Sequence, residues 1–183
     1  MRDTKALITR SLQQLVGLPL SIARDAAAMK NFQFGSIRPH PSGRGTIGQY
    51  ALHIQCPWRI IATGGIVTGS SDYYEPAEVE GEVDRKDSEA GNLQQKRLRN
   101  LLPLYDVNTR SLVNSTGNLI VEAAFVDDLG GFELQLSGGY RLQVFPDRSR
   151  AEDWRFFAPG SEEDHLVIEG GRVAPPPSEP SES

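Results

Sequence analysis

Two short runs of alternating residues commit this chain to a fold built on antiparallel strands. Phe132, Leu134 and Leu136 alternate with Glu133 and Gln135, and after Ser137-Gly138-Gly139 the residues Tyr140, Leu142 and Val144 alternate with Arg141 and Gln143. Successive side chains of a strand point to opposite faces, so an apolar set at period two describes strands buried on one side. The paired glycines supply the positive φ that a tight hairpin needs. Upstream, Phe32 and Phe34 alternate with Asn31 and Gln33, while Tyr50, Leu52, Ile54 and Cys56 alternate with Ala51, His53 and Gln55.

These strings belong to a longer recurrence. Leu12-Gln-Gln-Leu15, Leu18-Pro19-Leu20, Phe32-Gln-Phe34-Gly35, Tyr50-Ala-Leu52-His-Ile54 and Trp58-Arg59-Ile60 find counterparts in the same order. The counterparts are Leu98-Arg-Asn-Leu101, Pro103-Leu104, Leu134-Gln-Leu136-Ser137, Tyr140-Arg-Leu142-Gln-Val144 and Trp154-Arg155-Phe156. Self-similarity of this kind predicts one supersecondary unit used twice. The expectation is an α+β fold, mainly antiparallel sheet, from two helix–strand–strand units over 12–60 and 98–157 related by a pseudo-twofold axis. Residues 36–48 then read as a loop insertion in the first unit.

The helices follow from spacing. Over residues 4–16, Ile8, Leu12, Leu15 and Val16 share a face, with Asp3 or Thr4 available as N-cap and Gly17 and Pro19 as a stop. Leu98, Leu101 and Leu102 outline a second helix that Pro103 ends. Residues 70–91 are acidic and lack an apolar period, which predicts a connector between the halves. His165 to Ile168 reads as a last strand. From Ala174 the chain is rich in proline and serine, so a single domain over 1–173 with a tail without fixed structure over 174–183 is expected.

Composition narrows the function classes. A hydrophobic share of 38% in 183 residues suits one sheet-based core, and a net charge of -5 argues against a dedicated nucleic-acid partner. Charges interrupt the N-terminus, and no stretch nears the roughly 18 apolar residues of a membrane span, so a cytoplasmic protein without a membrane partner is expected. Cys56 is the one cysteine, which excludes an internal disulfide and a thiol-rich metal site.

Several motifs offer chemistry. Gly43-Arg-Gly45-Thr-Ile-Gly48 has the letters of a dinucleotide fingerprint but leads into a strand pattern rather than a helix, so it reads as a turn. His53 and Cys56 are an odd number of residues apart and should face opposite sides of their strand. Asp127, Asp128 and Glu133 resemble a magnesium-binding carboxylate set, yet Gln135 stands where such nucleases carry a lysine, and Asp127-Asp128 before Gly130-Gly131 also describes a turn. The pairs Trp58-Arg59 and Trp154-Arg155 suit either a binding surface or two indoles closing equivalent units. Glu162-Glu-Asp164 reads as a solvated loop, and the Asn114-Ser-Thr116 sequon carries no weight without a secretion signal.

The strings Tyr50-Ala-Leu-His-Ile-Gln-Cys-Pro-Trp-Arg-Ile60 and Gly130 to Pro146, with Glu152-Asp-Trp154, resemble a family of small uncharacterised bacterial β-rich proteins with two strand–turn–strand units. Some proteins of that type are similar to immunity partners of bacterial toxins; no catalytic residue follows from the resemblance. The function expected is a non-enzymatic protein-binding module of the immunity type. Glu75, Glu78, Glu80, Glu82 and Asp84, with Arg59 and Arg155, are its candidate contacts, no metal or other cofactor is called for, and a homodimer stays open. The alternative is a metal-dependent hydrolase or nuclease using Asp127, Asp128 and Glu133, with His53 as a further candidate.

Overall fold

The computed structural model describes residues 3–27, 29–77 and 91–175. Helix α1 spans Thr4–Gln13, capped by the Asp3 carboxylate, which accepts from the Ala6 amide at 3.1 Å. It stops short of the expected Val16 because the next residues tighten into i→i−3 turns, Leu15 to Leu12 and Val16 to Gln13. Gly17, at φ 90°, then donates its amide to Val121. Helix α2, Leu93–Leu101, starts at Asn92, whose side-chain oxygen accepts from the Gln95 amide at 2.9 Å, and ends ahead of Pro103.

The strands are β1 Leu20–Ala26, β2 Met29–Phe34, β3 Arg38–Pro39, β4 Thr46–Ile47, β5 Tyr50–Ile54, β6 Trp58–Ala62 and β7 Gly65–Gly69. After α2 come β8 Leu104–Asp106, β9 Ser111–Val113, β10 Val121–Val126, β11 Phe132–Leu136, β12 Tyr140–Val144, β13 Glu152–Phe157, β14 Leu166–Glu169 and β15 Arg172–Val173. The last strand expected from the sequence is thus β14, and a further short strand pairs with it. An eight-stranded sheet has the order β15-β14-β13-β5-β2-β1-β9-β8, and a five-stranded sheet the order β10-β11-β12-β6-β7. Every ladder among the described residues is antiparallel.

One core joins the two sheets. Phe32, Leu52 and Trp154 of the large sheet and Trp58, Leu134 and Leu142 of the small one belong to a single buried cluster, to which Ile8, Leu12 and Leu98 of the helices add. Among the described strands the chain passes between these two sheets four times, from β5 to β6, β7 to β8, β9 to β10 and β12 to β13, and the first and last of these crossings lead to the tryptophans. β5 lies in the large sheet and continues through Pro57 into β6 of the small one; β12 lies in the small sheet and continues into β13 of the large one. Tyr50 and Tyr140 therefore stand in different sheets.

The edges are protected. α1 packs on β10 and α2 on β7, the two outer strands of the small sheet, and the large sheet ends in strands of three and two residues. Short or covered edges offer few free backbone groups to another chain. Residues 36–48 fold back as the β3–β4 hairpin over the outer face of the large sheet, where the Gly48 amide donates to Gln33 Oε1 at 2.6 Å and the Arg38 guanidinium to the Pro159 carbonyl at 2.9 Å. This cover explains why Gln33 and Ala51, outward by alternation, are buried.

Candidate functional site

The apolar row of β2 ends in a charge. Lys30 alternates in phase with Phe32 and Phe34, so it points to the inner face, and it is only 4% exposed. Its register partner on β1 is Asp25, whose Oδ1 accepts from Lys30 Nζ at 2.5 Å. Asp25 Oδ2 accepts from Gln95 Nε2 at 3.0 Å. The ammonium lies 6.0 Å from the Trp58 ring centroid. Burial pushes the Lys30 pKa below the ordinary lysine value, and the Asp25 carboxylate opposes that shift.

The first turn of α2 ties this pair to the small sheet. Gln94, 2% exposed, donates Nε2 to the Gly69 carbonyl at 2.9 Å, while Gln95 reaches Asp25. Gln94 Oε1 is shielded and accepts no hydrogen bond from the described residues. Asp25, Lys30 and Gln94 border a cleft of about 600 Å³ whose other walls include Met29, Ile54, Cys56, Trp58, Tyr73 and Tyr74. The tyrosines come from a 3-10 turn, Ser70–Tyr74; their rings meet edge to face at 5.4 Å and are 42% and 85% exposed. A smaller cleft of about 290 Å³ shares Asp25 and Lys30 and runs past Gln95 to Arg99, whose guanidinium lies 5.3 Å from the Tyr105 ring centroid.

Cys56 lines the larger cleft as a neutral thiol: burial, then the Asp153 carboxylate, push its pKa up to about 12. His53 faces the other side of the sheet, its ring edge-on to Phe157 at 4.7 Å. Burial and then the Arg155 guanidinium push its pKa down to about 4, with Glu152 opposing. The two residues do not form a pair.

The two candidate arginines are separated. Trp58 and Trp154 point inward, so the residues after them point outward from different sheets. Arg59 donates Nε to Gln143 Oε1 at 2.7 Å, and its guanidinium lies 5.0 Å from the Phe145 ring centroid. Arg155 is forked onto Glu152 through Nε, at 2.6 Å, and through a second nitrogen. Glu75 is exposed at the end of the 3-10 turn, whereas Glu78, Glu80, Glu82 and Asp84 lie outside the described residues, as does the tail from 176.

The three carboxylates of the alternative reading have separate engagements. Asp127 Oδ1 accepts from the amides of Leu129 and Gly131, both at 2.8 Å, which makes it the organiser of the β10–β11 turn. Asp128 pairs with Lys5 at 2.8 Å, and Glu133 accepts from Gln143 Nε2 at 2.6 Å with Arg141 at 3.8 Å. Among the described residues no group of three or more His, Cys, Asp or Glu could hold a metal ion. Gly43-Arg-Gly45 forms the tip of the β3–β4 hairpin, closed by His40 and Gly45, rather than the start of a helix.

Among the described residues no helix is long and apolar enough to cross a membrane. Comparisons with protein-family models, curated proteins and solved structures find no match to the chain.

The sequence reading missed Lys30, Gln94, Tyr73 and Tyr74. The signal for Lys30 was its phase: a lysine at i beside Phe32 at i+2 and Phe34 at i+4 marks a charge on an apolar face.

Proposed function

We propose that the chain is a cytoplasmic, non-enzymatic protein-binding module of the immunity type, which engages a basic partner at the end of the sandwich where Tyr73 and Tyr74 stand. The observation that carries this reading is the exposed tyrosine pair directly before the acidic run that begins at Glu75. Tyrosine is enriched at interface hot spots, because its ring buries a large area at small entropic cost and its hydroxyl bonds at the rim. Carboxylates beside such an anchor steer a positively charged surface toward it. Arg59 and Arg155, on opposite outer faces, cannot share one small interface with the tyrosines and with each other. Within this proposal the contacts are therefore Tyr73, Tyr74 and Glu75, continuing into Glu78, Glu80, Glu82 and Asp84.

The same reading treats residues 12–60 and 98–157 as one helix–strand–strand unit used twice. Its support is the reciprocal crossing, in which Tyr50–Ile54 leads to Trp58 in one direction between sheets and Tyr140–Val144 leads to Trp154 in the other.

The test is quantitative affinity capture from cells that naturally make the protein, comparing wild type with Tyr73→Ser/Tyr74→Ser. A basic protein held by the wild type and lost by the variant supports the proposal. Equal recovery by both, or a wild type that captures only its own copies and sediments as a homodimer, contradicts it.

A further inference from the structure

We propose that the 600 Å³ cleft is a binding site for a small uncharged molecule bearing a planar ring and an amide edge, with a carbonyl and an N–H side by side. Its size falls within the roughly 300–1,000 Å³ of small-ligand sites, and its lining divides about evenly between polar side chains and an apolar and aromatic wall. The site shares Tyr73 with the protein-binding reading but does not rest on it, since Lys30, Asp25 and Gln94 supply its polar groups.

Charge selects the ligand class. The lining carries Asp25 and Asp147 against Lys30 and Arg148, so its formal charges cancel. Only Lys30 and Asp25 form an ion pair; Asp147 and Arg148 are exposed, where water screens their charges, and Arg148 is held by the carbonyls of Gln55 at 2.9 Å and Glu152 at 3.2 Å. An anionic guest reaching Lys30 would also meet Asp25, and a cationic guest reaching Asp25 would also meet Lys30. At this buried pair either guest would leave water without gaining a free counter-charge.

Hydrogen bonding selects the edge. An ammonium has three hydrogens, and Lys30 gives one to Asp25, which leaves donors for a carbonyl oxygen. Gln94 also lines the cleft, and its Oε1 is a buried acceptor without a donor among the described residues. A carbonyl beside an N–H answers both deficits, as either charged isostere of an amide cannot. Trp58, Met29 and Tyr73 offer the ring an apolar and aromatic wall.

The experiment titrates isosteric probes into ¹⁵N-labelled full-length protein and follows backbone amides. Benzamide and uracil are the uncharged arms, one with an exocyclic and one with a ring amide; benzoate and benzamidinium have the shape of benzamide with opposite charges. Saturable shifts confined to the cleft segments 25–30, 54–58, 70–74, 94–95 and 147–148, with a Kd on the order of millimolar as expected for fragments this small, support the site. At least one uncharged probe should bind about tenfold more tightly than both charged ones, and Lys30→Met should weaken it by about tenfold. Because Lys30→Met also removes a buried ion pair and can disturb the sheet, Tyr73→Ala on the rim is the second variant, with several-fold weakening and unchanged sheet resonances expected. No saturable binding, shifts elsewhere, or preference for benzoate or benzamidinium overturns the proposal.

Discussion

The indole of Trp58, on the small sheet, meets the ring of Phe32, on the large one, edge to face at 5.1 Å and 88°. The reverse contact is made by Trp154 of the large sheet with Phe132 of the small one, at 4.9 Å and 72°. Each tryptophan follows a strand in the other sheet, so the two contacts fasten the sandwich where the chain crosses. Such pairs add roughly 0.5–1.5 kcal/mol to area burial. Trp154 is fixed further by donating Nε1 to the Gly130 carbonyl at 2.9 Å.

Between these fastenings the core should be intolerant of truncation. Leu134→Ala and Ile54→Ala, at residues 0% and 1% exposed, should each cost about 2–4 kcal/mol through lost burial and a cavity. Glu133→Ala, on the outer face of the small sheet, should cost less than about 1 kcal/mol. Urea unfolding of the three variants checks the assignment of faces.

The Lys30–Asp25 pair should respond asymmetrically. Asp25→Ala strands an ammonium that is 4% exposed and should cost about 3–5 kcal/mol. Lys30→Met leaves Asp25 27% exposed and still bonded to Gln95, so about 1–2 kcal/mol is expected. Thermal and urea melts of both variants test the order; a larger loss for Lys30→Met would contradict it.

His53 gives stability an acid slope. Its pKa is about 4 in the fold against 6.5 unfolded. Between those values the unfolded chain holds more protons, so stability falls as pH drops from 6.5 to 4, and this contribution levels off below. His53→Gln should flatten that part of the curve, measured by urea melts at pH 7, 5.5 and 4.5.

Cys56 should resist thiol reagents. A thiol 3% exposed with its pKa up to about 12 has almost no thiolate at neutral pH. Iodoacetamide labelling followed by mass spectrometry should proceed only as fast as the protein opens, and denaturant should raise the rate sharply.

What the sequence revealed and concealed has physical causes. The β11–β12 hairpin was legible because Phe132 to Val144 is buried on one face only, and Gly138 and Gly139 take φ 78° and 79°. β1 was not legible: Leu20, Ser21, Ile22 and Ala23 are buried consecutively, which erases the alternation, and Ser21 is satisfied by the Gly35 carbonyl. Alternation also reports a face but not a sheet, so the placement of Tyr50 and Tyr140 in different sheets had no local signal. The cleft depends on five separated segments, and only the phase of Lys30 hinted at it.

The most direct test of the account is the association rate of the captured basic partner with wild type and with a variant in which Glu75, Glu78, Glu80, Glu82 and Asp84 are replaced by their amides. Exposed carboxylates act across a Debye length of about 8–10 Å near physiological ionic strength, and added salt shortens that reach. The account predicts slower association for the variant at low salt, a difference that closes as salt rises, and dissociation rates that change little. Equal association rates at low salt would contradict the claim that an acidic run beside Tyr73 and Tyr74 steers a basic partner.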